Sequence, residues 1–211
     1  MSRTLLHLDS SILGASSASR LLSSHVVDQL SQKLPTVRVT YRDLAAQPIP
    51  HLSGPYVAAT RGNLAMPLDA TLRDDLALGE AVLQEFLAAD IVVIGVAFYN
   101  FSIASQLKAW IDRIAVAGRT FRYTQSGAEG LSGNKHVFLA IARGGVYGAG
   151  SPRHAMEHAE TYLRSAFSFI GITQLDVVSA EGLNMGDAAH RSVTIAQAQA
   201  RIDQTVAALQ A

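Results

Sequence analysis

The chain contains no cysteine among its 211 residues. That single absence removes disulfides, thiolate nucleophiles, iron–sulfur ligation and cysteine-based zinc sites. It also has no excess of charge: 17 Lys and Arg balance 17 Asp and Glu, and no block of like charge occurs. Nucleic acids and anionic membranes recruit clustered cations, so neither is expected as a partner. Long hydrophobic runs are missing as well. None approaches the roughly 18 apolar residues of a membrane span, and the opening MSRTLLHLDSS breaks its apolar run at His7 and Asp9, too soon for a signal-peptide core. The expected setting is the cytoplasm. There is no G-x-G-x-x-G and no Walker A lysine, which excludes the dinucleotide and P-loop fingerprints.

The length fits one large domain more readily than two small ones, since domains run to roughly 100–200 residues; residues 1–211 are read as one. The stretch DIVVIGVAFYNF, residues 90–101, organises the rest. Its first part is apolar and rich in β-branched residues, without the alternation of a half-solvated strand, and so reads as a strand covered on both faces. Shorter strands are expected at 4–8, 37–41, 136–142 and 174–178. The alternation in VRVTY suggests that the second strand lies at or near an edge. Apolar residues at helical spacing predict helices over about 17–33, 70–88, from 102–105 to 117, from 152 to 170 and 188–209. Two excursions interrupt this order. Residues 47–67 hold four of the six prolines but also Ile49, Leu52, Tyr56, Val57 and Leu64 to bury, and residues 119–135 carry Phe121 and Tyr123.

Strand and helix alternate five times, which specifies right-handed crossovers and a five-stranded parallel sheet with helices on both faces. With strand order 2-1-3-4-5, three strand ends become neighbours, and ligands bind outside the carboxyl ends at the switch point between strands one and three. The first end is a serine loop, with Ser11, Ser17 and Ser19 leading into a helix whose free N–H groups attract an anion. These serines either hold a phosphate or only cap the helix. The second end is Phe98-Tyr99-Asn100-Phe101, rings and an amide suited to a flat aromatic ligand. The third is Ala142-Arg143-Gly144-Gly145, whose glycines either form a plain turn or allow close backbone approach to that ligand.

Together with the helix SQLKAWIDRI, the segment TFRYT, FIGIT at 169–173 and Ala180-Glu181-Gly182, these loops resemble the FMN-dependent NADH azoreductases, a branch of the flavodoxin-like quinone reductases, over nearly the whole chain. The resemblance implies a flavodoxin-like fold, one FMN per subunit, NADH or NADPH as electron donor, quinones or azo compounds as acceptors, and a homodimer whose partner completes the site. By matching positions it implies that Ser11, Ser17, Ala18 and Ser19 hold the phosphate. Phe98, Tyr99, Asn100 and Phe101 would lie along the isoalloxazine, and Ala142, Arg143, Gly144 and Gly145 would meet its pyrimidine side. Three positions depart from the family pattern: Ala97-Phe98 replaces Pro-Met, Ala18 replaces Gln and Ala142 replaces Ser. Backbone contacts survive these changes; side-chain contacts at Ala18 and Ala142 do not. The reaction implied is ping-pong hydride transfer through flavin N5, with no side chain assigned as catalytic. The N–H groups of Gly144 and Gly145 would stabilise the reduced ring, and the acceptor slot would be walled by Phe101 and by Phe121 or Tyr123. Those last two aromatics serve either packing or substrate stacking.

Three further patterns need weighing. His154, Glu157 and His158 fit H-x-x-E-H, a zinc-peptidase arrangement that needs both histidines on one helical face, but no third ligand stands out and no metal is expected. Ser132 lies between Gly130 and Gly133 without meeting G-x-S-x-G. Leu107, Trp110 and Ile114 form a stripe that is either core or dimer face, with the dimer face favoured. A non-catalytic flavodoxin-type electron carrier is the alternative function, although carriers that dock electrostatically usually have strong net charge.

Overall fold

The computed structural model describes residues 3–62 and 68–209. In chain order its strands are β1 (Thr4–Asp9), β2 (Arg38–Asp43), β3 (Ile91–Tyr99), β4 (Ser102–Ile103), β5 (Phe121–Thr124), β6 (Gly127–Gly130), β7 (His136–Ala142) and β8 (Gln174–Ala180). The helices are α1 (Ala18–Lys33), α2 (Gly54–Thr60), α3 (Ala70–Ala88), α4 (Ser105–Ile114), α5 (Ala159–Phe169) and α6 (Ala188–Ala208). Five strands pair in parallel in the order β2-β1-β3-β7-β8. This is the expected 2-1-3-4-5 topology, with β2 at the edge. The second excursion folds into the separate antiparallel hairpin β5–β6.

Because strand side chains alternate between faces, β3 divides its residues between two cores. Val92, Ile94 and Val96 face α3, α4 and α5, with Phe86, Trp110 and Phe167; Ile91 and Val93 face α1 and α6, with Leu22, Val26 and Ile202. His7 and Asp9 belong by this alternation to the α1 face, where they start a polar network below the serine loop.

Helix starts follow capping chemistry. Ser17, Ser53, Asp69 and Asp187 each accept a backbone N–H three residues on, opening α1, α2, α3 and α6. Helix α4 ends at Ile114, earlier than its apolar spacing suggests, because Thr120 diverts the ladder: its hydroxyl donates to the Ile114 carbonyl at 2.6 Å and accepts the Val116 N–H at 3.0 Å. In the first excursion Ile49 and Tyr56 are buried, Val57 is half-buried and Leu52 is exposed; Leu64 and Pro67 fall outside the described residues.

Two expectations are corrected. Leu107, Trp110 and Ile114 do not form a dimer face, because all three are buried within this one chain and Trp110 meets Phe86 edge-on at 5.8 Å. The α4 stripe faces the chain's own core. Nor does a helix run from Pro152: a single 3₁₀ turn spans His154–Met156 and α5 starts at Ala159. The cause is Glu157, whose carboxylate accepts the N–H groups of Ala159, Glu160 and Thr161 and so begins the helix there. His154 and His158 therefore do not share one α-helical face.

Candidate active site

The serine loop is tied down from below. Ser10 Oγ donates to the Gly95 carbonyl at 2.8 Å, and Arg20 clamps the loop to β2, donating to the Ser11 carbonyl at 2.8 Å and to Asp43 at 2.6 and 2.8 Å. The Arg20 guanidinium holds the Asp43 carboxyl below its usual range. Beneath, the buried Asp9 accepts from the buried Ser23 at 2.8 Å and from Tyr41, whose ring reaches the surface, at 3.1 Å. Burial, then the Asp9 charge, pushes Tyr41 up to about 12, so it stays a phenol donor. Burial also lowers His7, 3.0 Å from Ser23, and keeps it neutral near pH 7. Position 95 in β3 must be glycine, because a Cβ there would overlap Asp9 Oδ1 and come within 2.9 Å of Ser23 Oγ. At the loop surface, Ser11 Oγ lies 3.1 Å from the Tyr99 hydroxyl and Ser17 Oγ 3.0 Å from Ser19 Oγ.

At the end of β3 the chain reverses through Asn100-Phe101 into β4, with Tyr99 opposite Ser102. Both turn residues have positive φ, 47° and 72°. A two-residue hairpin turn of this kind needs φ > 0 at both central positions. Asn tolerates that region; a Phe there stores about 1–3 kcal/mol of strain. The turn leaves Phe101 40% exposed at the rim. Tyr147 stands between Phe98, at 4.8 Å, and Phe101, at 6.3 Å between ring centres.

At the end of β7 the Arg143 guanidinium is buried and spends itself inside the chain: it pairs with Glu181 at 2.6 Å, Glu157 at 2.9 Å and Glu160 at 3.3 Å. Glu181 also accepts the N–H groups of Tyr147 and Gly148. Burial alone would raise Glu157, but three backbone N–H bonds and Arg143 outweigh it and lower its pKa. The carbonyls of Arg143, Gly144 and Gly145 accept the N–H groups of Leu183, Asn184 and Gly182. Among the described residues no acceptor takes the N–H of Gly144 or Gly145. A Cβ at Gly144 would press to 2.7 Å from Asn184 Nδ2, so a larger residue there would displace the exposed Asn184 side chain from the cleft wall.

A cleft of about 110 Å³ joins these ends. Ser11, Ser17, Ala18, Ser19, Phe98, Tyr99, Ala142 and Gly144 line it, all of them expected from the sequence. Asn100, Phe101, Arg143 and Gly145 are neighbours along the chain but not part of its wall, and neither Phe121 nor Tyr123 lines it. Phe121 is buried against Phe169 at 4.6 Å, while Tyr123 is exposed on the β5–β6 hairpin. Leu13, Ala97, Leu183, Asn184 and Arg191 also line the cleft and were not among the expected site residues. Leu183 and Asn184 directly follow the Ala180-Glu181-Gly182 motif, where Gly182 at φ 72° turns the chain back; Arg191 carries no local signal. Among the described residues no cluster of acidic or histidine side chains could hold a metal ion, and no helix is long and apolar enough to cross a membrane. Ser132 is buried away from the cleft wall.

The topology, with a cleft at the switch point, defines a flavodoxin-like α/β protein, and a family profile described as a flavodoxin-like fold matches residues 3–206. A relative from Xanthomonas campestris pv. campestris, named FMN-dependent NADH:quinone oxidoreductase, is 60% identical over 200 residues, covering 94% of this chain and 97% of its own. Another from Bradyrhizobium diazoefficiens, named FMN-dependent NADH:quinone oxidoreductase 2, is 55% identical, covering 92% and 94%. Among solved structures, the azoreductase AzrA superposes with a TM-score of 0.88 at 28% identity, covering 98% of this chain and 100% of its own. The azoreductase of Bacillus anthracis superposes with a TM-score of 0.87 at 27% identity, covering 97% and 98%. The chain belongs to the flavodoxin-like family of FMN-dependent NADH:quinone oxidoreductases.

Proposed function

We propose that this chain is an FMN-dependent NADH:quinone oxidoreductase that also reduces azo compounds. The observation that carries the reading is the convergence of three strand ends on one cleft in a chain 60% identical to a relative of that name. The residues fit the cofactor. Ser11, Ser17 and Ser19 offer hydroxyls beside the free N–H groups that open α1, which suits a phosphate. The edge from Phe98 to Phe101 suits a flat ring system. The N–H groups of Gly144 and Gly145, which meet no acceptor among the described residues, would receive the pyrimidine side. Donors fixed in that way favour negative charge that develops on reduction.

FMN held by these residues would supply the hydride-transfer and two-electron redox chemistry that the protein's side chains lack. The protein's part is to orient. Glu181 holds the Tyr147–Gly148 loop, Arg143 holds Glu181, and together they fix the Gly144 and Gly145 donors. Phe98, Tyr147 and Phe101 supply an apolar rim that keeps water from the ring. Since small-molecule sites commonly span roughly 300–1,000 Å³, a cleft of about 110 Å³ encloses only part of the ligand. This supports a homodimer in which a second chain covers the ring; Tyr123, exposed and without a place in its own cleft wall, is a candidate to reach it. We further propose that residues 1–211 form one domain, that the protein works in the cytoplasm, and that neither nucleic acid nor membrane is a partner.

The test is steady-state oxidation of NADH, and in parallel NADPH, by the FMN-loaded protein with a quinone and with an azo dye. Activity that depends on added FMN and survives a chelator is expected. A protein that stays colourless with FMN, or that loses activity to the chelator, contradicts the reading.

A further inference from the structure

We propose that Arg191 is the counter-charge of the flavin's phosphate, an inference that rests on the FMN reading above. The serine loop offers a phosphate hydroxyls and backbone N–H groups, all neutral, yet a phosphate monoester carries about −1.5 to −2 charge at pH 7. Among the described residues lining the cleft, Arg191 is the single cation. It arrives from the first turn of α6, 175 residues from the loop, and donates from Nη2 to the Ser16 carbonyl at 3.3 Å.

What distinguishes this guanidinium is what it does not hold. Five N–H groups are available on an arginine, and only this one contact is made by its side chain among the described residues. The nearest carboxylate along its helix, Asp187, is engaged in capping, accepting the His190 N–H at 2.9 Å, and no ion pair joins it to Arg191. A half-buried arginine without a carboxylate, beside two hydroxyls 3.0 Å apart and a helix N-terminus, is arranged for a bidentate anion. Ala18 in the same wall supplies no side-chain donor, which leaves Arg191 as a side-chain donor to that end of the cleft.

Comparing FMN with riboflavin, which lacks only the phosphate, isolates this role. Both are titrated into flavin-free protein, wild type and R191A, following flavin fluorescence. The wild type is expected to prefer FMN. In R191A, FMN affinity falls about 10- to 100-fold, as for loss of a charge-assisted hydrogen bond, while riboflavin affinity stays where it was and the circular dichroism melt is unchanged. R191K, a point charge without the planar fork, recovers part of the loss. Equal weakening toward both flavins would mean that Arg191 only braces the loop through Ser16 and would overturn the proposal. Unchanged FMN binding in R191A would overturn it too, while leaving the FMN reading intact. A wild type that binds neither flavin would end both.

Discussion

Two arginines near one cleft have opposite fates. Arg143 lies beneath the site, buried, and meets three carboxylates from its own chain within 3.3 Å. Arg191 lies at the wall, half-buried, and among the described residues it meets none, its side chain touching only the Ser16 carbonyl. The buried cation must be matched internally, because an unpaired charge out of water costs several kcal/mol. The cation at the wall can keep its donors open, because water satisfies them until an anion arrives. Chemical type is the same in both; the partners the fold supplies decide which one is structural and which is available for binding.

The largest expected effect comes from breaking the matched cluster. Arg143→Met leaves Glu157, Glu160 and Glu181 without their cation and is expected to cost about 3–5 kcal/mol in urea unfolding, whereas Arg191→Met stays within about 0.5 kcal/mol. Equal losses would erase the distinction.

A smaller effect follows at Glu157, which both pairs with Arg143 and opens α5. Glu157→Gln should cost about 1–3 kcal/mol at pH 7. The sign of its pH dependence is set by its lowered pKa. The folded state holds this proton less tightly than the unfolded chain, whose ordinary value is 4.5, so stability from the ionised group is fully present above that pH. It is lost as pH falls through the folded value. The gap between wild type and Glu157→Gln therefore narrows below about pH 4.5; a gap that stays constant into acid would contradict the assignment.

Much of this architecture was legible in the residues themselves. The bounds of α3 and β7 fall where hydropathy placed them, because long regular patterns fix their own ends. The serine loop and the ends of β3 and β7 converge as expected, since parallel topology with short connections leaves one arrangement. What was not legible is long-range or side-chain-driven. Pro152 suggested a helix start, but Glu157, whose carboxylate accepts three N–H groups ahead of it, starts the helix later. The α4 stripe read as a possible interface, and only the packing of Phe86 on Trp110 identifies it as core. Arg191 had no signal, because nothing local couples the first turn of α6 to a loop 175 residues earlier.

The smallest expected effect concerns the rim. Phe101 holds φ 72° in the turn after β3, so Phe101→Gly should raise stability by about 1 kcal/mol. The same change removes a ring from the proposed isoalloxazine edge and should weaken FMN retention. A variant both less stable and equally able to hold FMN would show that the strained turn does not serve the site.

The most direct test of the central claim is an anaerobic half-reaction. The protein is loaded with FMN, freed of excess, and mixed with NADH, and the visible flavin absorbance is followed; a quinone is then added without oxygen. Bleaching by NADH and full recovery of the absorbance with the quinone, as two separate steps, are expected. Bound flavin that NADH leaves oxidised, or reduced flavin that the quinone leaves bleached, would contradict the claim.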